Sequence, residues 1–110
     1  MISNQKMIDI LAGMADAVRV AEKKWPRSAP LPNGTGSAGR LTWETMARNA
    51  CDRAARDGRL AHCHIFDEET AEVMAAEDPK ALRAELFDVI SVCVRWIADI
   101  DETEQQETAT

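Results

Sequence analysis

Leu82, Leu86, Val89, Cys93, Trp96 and Ile100 recur at steps of three or four residues, the spacing that lines one stripe of an α-helix with apolar side chains. Asp78-Pro79 stands just ahead of the stripe, offering an N-cap and a first-turn proline. The pattern predicts a helix from residue 79 to about 100 whose apolar face must be covered by other elements.

Three more helices are expected upstream. Ser3 or Asn4 can cap a helix over residues 4–24, with Met7, Leu11, Met14, Val18, Ala21 and Trp25 as its core stripe. The stretch 26–40, with three prolines and three glycines, predicts a long loop. Thr42 can cap a second helix that runs to Asp57 and stops at Gly58, with Met46, Ala47, Ala50, Cys51 and Ala54 as a small-residue face. A third helix is predicted over 61–77, and the tight Glu77-Asp78-Pro79 link makes helices three and four an antiparallel hairpin. The expected fold is all-α, a four-helix bundle-like domain over residues 1–100 followed by a polar, frayed tail from 101 to 110.

Composition supports helices: hydrophobic residues make up 45% of the chain, aromatics only 5%, and Tyr is absent. No apolar run reaches the roughly 18 residues that span a bilayer, and no secretory leader pattern is seen, so a soluble, cytoplasmic protein is expected. Cys51, Cys63 and Cys93 lack CxxC spacing, which argues against a disulfide framework or a zinc cluster. A net charge of −6 argues against general nucleic-acid binding. Charge is also divided along the chain. Residues 19–60 hold nine basic and four acidic side chains, residues 61–110 three and thirteen. One part suits phosphates, the other a cation.

The carboxylates sharpen that division. Glu69 and Glu72 lie one turn apart in the stripe Ile65, Glu69, Glu72, Ala76, with Phe66 and Val73 beside it. Glu85 and Asp88 repeat the spacing next to the apolar stripe of helix four. In a hairpin the two pairs can face each other, where four partly desolvated carboxylates require a positive partner. Oxygen ligands with room for water and phosphate match Mg²⁺, with Mn²⁺ as a substitute. Glu68 points about 100° away and is expected behind the ligands or in solvent.

The run Glu68-Glu69-Thr70-Ala71-Glu72, twelve intervening residues, then Glu85-Leu86-Phe87-Asp88 resembles the EExxE and ExxD signatures of the MazG-like all-α nucleoside triphosphate pyrophosphohydrolases. The segment 64–101 is similar to short members from actinobacteria and their phages, which implies a cytoplasmic protein, in the host cytoplasm if it is phage-encoded. The run Lys23-Lys24-Trp25 and the loop ending Asn33-Gly34-Thr35-Gly36 resemble the family more loosely, with Pro26 and Leu31-Pro32-Asn33-Gly34 where a glycine and a His-Pro-Asp-Gly run are expected. The resemblance implies Mg²⁺-dependent hydrolysis between the α and β phosphates of a nucleoside triphosphate, giving monophosphate and pyrophosphate. It implies Glu69, Glu72, Glu85 and Asp88 as catalytic metal ligands, with Glu69 also the base.

Lys23, Lys24, Arg27, Arg40 and Arg95 are candidates for phosphate contact and Trp25 for base stacking, which gives Lys24, Trp25 and Arg95 as the expected substrate-binding set. His62 and His64 read as helix-start residues. The rival readings are a nucleotide or signalling-molecule binder on the same fold and a structural helical dimer with solvated acidic pairs. Apolar stripes on every helix predict a homodimer or homotetramer.

Overall fold

The computed structural model describes residues 1–109, and the side chains of all of them except Ala38 and Ala109. The fold is all-α, as expected. Four helices follow one another: α1 (Asn4–Lys24), α2 (Ala38–Arg56), α3 (His62–Ala75) and α4 (Pro79–Ala109). No helix among the described residues is long and apolar enough to cross a membrane.

Local chemistry accounts for most helix ends. The Ser3 hydroxyl accepts from the Lys6 N–H at 3.1 Å and opens α1. Gly58, at φ +72°, ends α2 in a Schellman turn, with Gly58 N–H donating to Ala55 O at 3.2 Å and Arg59 N–H to Ala54 O at 2.9 Å. At the start of α3, Ala61 N–H donates to His64 Nδ1 at 3.0 Å, a cap supplied from within the first turn. The Asp78 carboxylate accepts from Lys80 N–H at 2.9 Å, so Asp78-Pro79 starts α4 as predicted.

Two boundaries differ from the sequence reading. Helix α2 begins at Ala38, with Ser37 as N-cap, so Thr42 lies inside it. The cause is tertiary: Gly36 N–H donates to Met74 O at 2.9 Å and the Thr35 hydroxyl to Ala76 O at 2.7 Å, which ties the end of the loop to the end of α3. Helix α4 continues through the segment expected to fray, to Ala109. There the Thr103 and Thr108 hydroxyls fold back onto Asp99 O and Glu104 O, and Asp101 pairs with Lys6 of α1.

The chain divides into two compact units, and α4 contributes to both. The first consists of Met1–Pro32 with α4 from Val94 onward. Its core is Ile10, Val94 and Ala98, with Ile2 and Met14 packed against it. The stripe expected to form the core of α1 is therefore mostly exposed at Met7, Leu11, Val18 and Trp25. Helix α1 has apolar residues on more than one side: Ile10 and Met14, with Ile2 ahead of the helix, pack on α4, and of these only Met14 belongs to the expected stripe.

The second unit spans Asn33–Cys93. Helices α2 and α3 pack closely. The buried residues are small on both sides: Ala47, Cys51 and Ala54 on α2, Ala71 and Ala75 on α3. Met46 and Ala50, expected on the same face, are exposed. Of the predicted α4 stripe, Leu82 is buried and Val89, Cys93 and Trp96 are half-buried, whereas Leu86 and Ile100 are exposed; Val92, beside Cys93, is buried as well.

Candidate metal centre

With Ala71 and Ala75 committed to packing, Glu69 and Glu72 occupy a neighbouring strip of α3, half-buried along with Ile65, Phe66 and Val73. The short link at residues 76–78 turns the chain back, and Glu85 of α4 comes up beside them. One carboxylate oxygen from each of Glu69, Glu72 and Glu85 lies within 4.8 Å of the other two. Glu72 thus lies against both Glu69 and Glu85, while the charge of Asp88 acts on Glu69. Later residues of α4 thus meet earlier residues of α3, which is the antiparallel register of a hairpin.

Electrostatics in this group are unfavourable without a cation. Burial, then the hydrogen bond to Glu85 and the charges of Glu69 and Glu85, push the Glu72 carboxyl up to about 8. Burial also raises Glu69, opposed by its hydrogen bond with Glu72 and reinforced by the charges of Asp88, Glu85 and Glu68. Glu69 Oε2 and Glu85 Oε2 are both buried and have no hydrogen-bond partner. A buried carboxylate oxygen left unpaired costs on the order of 1–3 kcal/mol or more. Glu69, Glu72 and Glu85 could together hold a metal ion, and their donors are all oxygen, the type that hard divalent cations take.

Of the four predicted ligands, three come together. Asp88 is exposed and outside the group of three, near enough to influence Glu69 only by its charge. Its side chain is one methylene shorter than that of Glu. Glu68 has a more definite place than the sequence suggested: it is half-buried and close enough to the Cys51 thiol of α2 to act on it. Burial, then Glu68, push that thiol up to about 11, so Cys51 stays protonated. The hint in the sequence was that Glu68 is one residue round the helix from Glu69, on the side that carries Ala71 and Ala75.

The three predicted substrate-binding residues belong to the first unit. Lys24 and Arg95 are exposed. The Lys24 ammonium sits 4.7 Å over the Trp25 ring, and Trp25 borders an open cavity of about 450 Å³ lined by residues between Glu22 and Pro30. Compared with known protein families, curated proteins and solved structures, the chain finds no match.

Proposed function

We propose that this protein is a Mg²⁺-dependent nucleoside triphosphate pyrophosphohydrolase, cleaving between the α and β phosphates to give a nucleoside monophosphate and pyrophosphate. One observation carries the reading: Glu69 Oε2 and Glu85 Oε2 are buried, lack partners and converge with Glu72 from two helices. A structural hairpin gains nothing from such a group, since apolar residues of similar size are equally or more stabilising there. The spacing of the carboxylates, which resembles the MazG-like signatures, adds the reaction class.

Glu69, Glu72 and Glu85 are the residues that would hold the metal. A Mg²⁺ held there would acidify a water and offset the charge on the departing pyrophosphate. Glu69 accepts the proton of the attacking water as its oxygen bonds to the α phosphorus. The bond from that phosphorus to the bridging oxygen breaks, and pyrophosphate departs with the electron pair. Asp88, at the exposed edge, adds negative charge that draws the cation toward the group.

The test is a panel of canonical and modified nucleoside triphosphates with Mg²⁺ or Mn²⁺, followed by chromatography. Monophosphate and pyrophosphate in equal amounts, dependent on the metal, support the reading. Release of inorganic phosphate, or metal-dependent binding of nucleotide without turnover, contradicts it, and the second result supports a nucleotide-binding protein instead.

A further inference from the structure

The end of the 26–37 loop is bonded to the hairpin that carries the carboxylates. Thr35 Oγ1 donates to Ala76 O at 2.7 Å, and Gly36 N–H donates to Met74 O at 2.9 Å. Met74 is in the last turn of α3 and Ala76 is its C-cap, in extended conformation at φ −67° and ψ 128°. Their carbonyls are of the kind a helix end leaves without a partner, and here the loop supplies one for each. Thr35 and Gly36 are half-buried, whereas Asn33, Gly34 and Ser37 around them are exposed. The two segments are in close contact, since a Cβ on Gly36 would sit 3.0 Å from Glu77 Cγ and 3.5 Å from Ala76 O.

We propose that Thr35 is a positioning residue of the candidate metal centre: its hydroxyl anchors the α3–α4 link and thereby sets where Glu85 stands relative to Glu69 and Glu72. The role presupposes that these three carboxylates hold the metal. Glu69 and Glu72 are on α3 and Glu85 on α4, and only residues 76–78 join the two helices. The α4 end of this link is held by its own bonds, from Lys80 N–H to Asp78 Oδ1 at 2.9 Å and from Leu82 N–H to Asp78 O at 2.8 Å. Its α3 end is held from outside, by Thr35 and Gly36, which lead directly into the Ser37 N-cap of α2. Helix α2 is in turn packed on α3 through Ala47, Cys51, Ala54, Ala71 and Ala75, so the link is tied to a pair of helices already set against each other. The lever is long enough to matter. At a rise of about 1.5 Å per residue Glu85 lies about 9 Å along α4 from Pro79, so a rotation of about 10° at the link shifts it by about 1.5 Å. A metal site tolerates only about 0.5 Å. Mg²⁺ requires near-octahedral oxygens at about 2.0–2.1 Å, whereas Ca²⁺ accepts irregular shells at about 2.3–2.6 Å, so a loosened link should cost Mg²⁺ more than Ca²⁺.

Amide hydrogen exchange of the metal-free full chain, with separate calorimetric titrations of Mg²⁺ and Ca²⁺, tests the proposal. Thr35→Val keeps the side-chain volume and removes the donor. It should quicken exchange at Gly36 and over residues 77–82, and weaken Mg²⁺ binding about tenfold while Ca²⁺ weakens less than about threefold. Thr35→Ser, which keeps the hydroxyl, should bind both cations as wild type does. Ser3→Ala removes the cap of α1 in the first unit, so it lowers stability without touching the link and should leave both affinities unchanged. If valine at 35 unfolds the chain, Thr35→Ala provides the same reading. Exchange and Mg²⁺ affinity unchanged in Thr35→Val overturn the proposal, and so does a loss of Mg²⁺ and Ca²⁺ in equal proportion, the mark of a merely structural role. A wild type that binds neither cation overturns the metal reading and this proposal with it. Selective loss of Mg²⁺ in the variant of a wild type that releases no pyrophosphate supports the proposal and contradicts the hydrolase reading alone.

Discussion

Glu72 of α3 and Glu85 of α4 bring carboxylate oxygens within 4.8 Å of each other, a contact between two side chains that would both carry negative charge in water. A shared proton makes this contact possible in the cation-free protein, and a cation would take over that role by displacing it.

The first prediction concerns pH. The ordinary Glu72 value of 4.5 is raised to about 8 in the folded state, so between these values the folded protein binds more protons than the unfolded chain. Stability therefore falls as pH rises through that window, and this contribution is fully present only below about 4.5. Urea denaturation of metal-free protein between pH 4.5 and 9 should show the decline, and Glu72→Gln, which is neutral throughout, should flatten it. Equal slopes in wild type and variant would remove Glu72 as the source.

Activity should grade with position in the group. Glu69→Gln and Glu85→Gln each delete a charge whose oxygen is buried and unpartnered, and should lower kcat/KM on the order of 100-fold or more. Asp88→Asn, at the exposed edge, should cost only about tenfold. Without metal, Glu69→Gln should be at least as stable as wild type, because one repelling charge is gone. Steady-state kinetics and thermal melts on the same preparations check both statements.

Two glycines should respond in opposite directions to alanine. Gly36 has φ +87°, and a Cβ there would meet Glu77 Cγ at 3.0 Å and its Cα at 3.4 Å. Gly36→Ala should cost about 1–3 kcal/mol and loosen the loop from α3. Gly13 lies within α1 with no atom within 4 Å of an added Cβ, so Gly13→Ala should stabilise by about 0.5–1 kcal/mol. Chemical denaturation of the two variants distinguishes these outcomes by sign.

The parts of the fold that sequence disclosed are those governed by neighbouring residues. Ser3, Gly58 and Asp78-Pro79 determine helix ends through caps, turns and fixed dihedral angles, and each acts where it was expected. The start of α2 was hidden because Gly36 and Thr35 bond to Met74 and Ala76, far away in the chain. The packed face of α1 was misjudged for a different reason. Apolar residues lie on more than one side of that helix, and periodicity does not rank one side above another. In the candidate site, ExxE spacing was enough to join Glu69, Glu72 and Glu85 once the hairpin was inferred. The same spacing did not disclose that Asp88 is exposed and outside the group of three, and the Cys51–Glu68 contact needed the position of α2, which no local pattern encodes.

Calorimetric titration of Mg²⁺ and Mn²⁺ into nucleotide-free protein tests the central claim most directly. The account predicts saturable binding to wild type, with proton release at pH 7 as Glu72 ionises, and a loss of at least about tenfold in affinity in both Glu69→Gln and Glu85→Gln. Absence of binding to wild type, or equal binding to all three proteins, would contradict it.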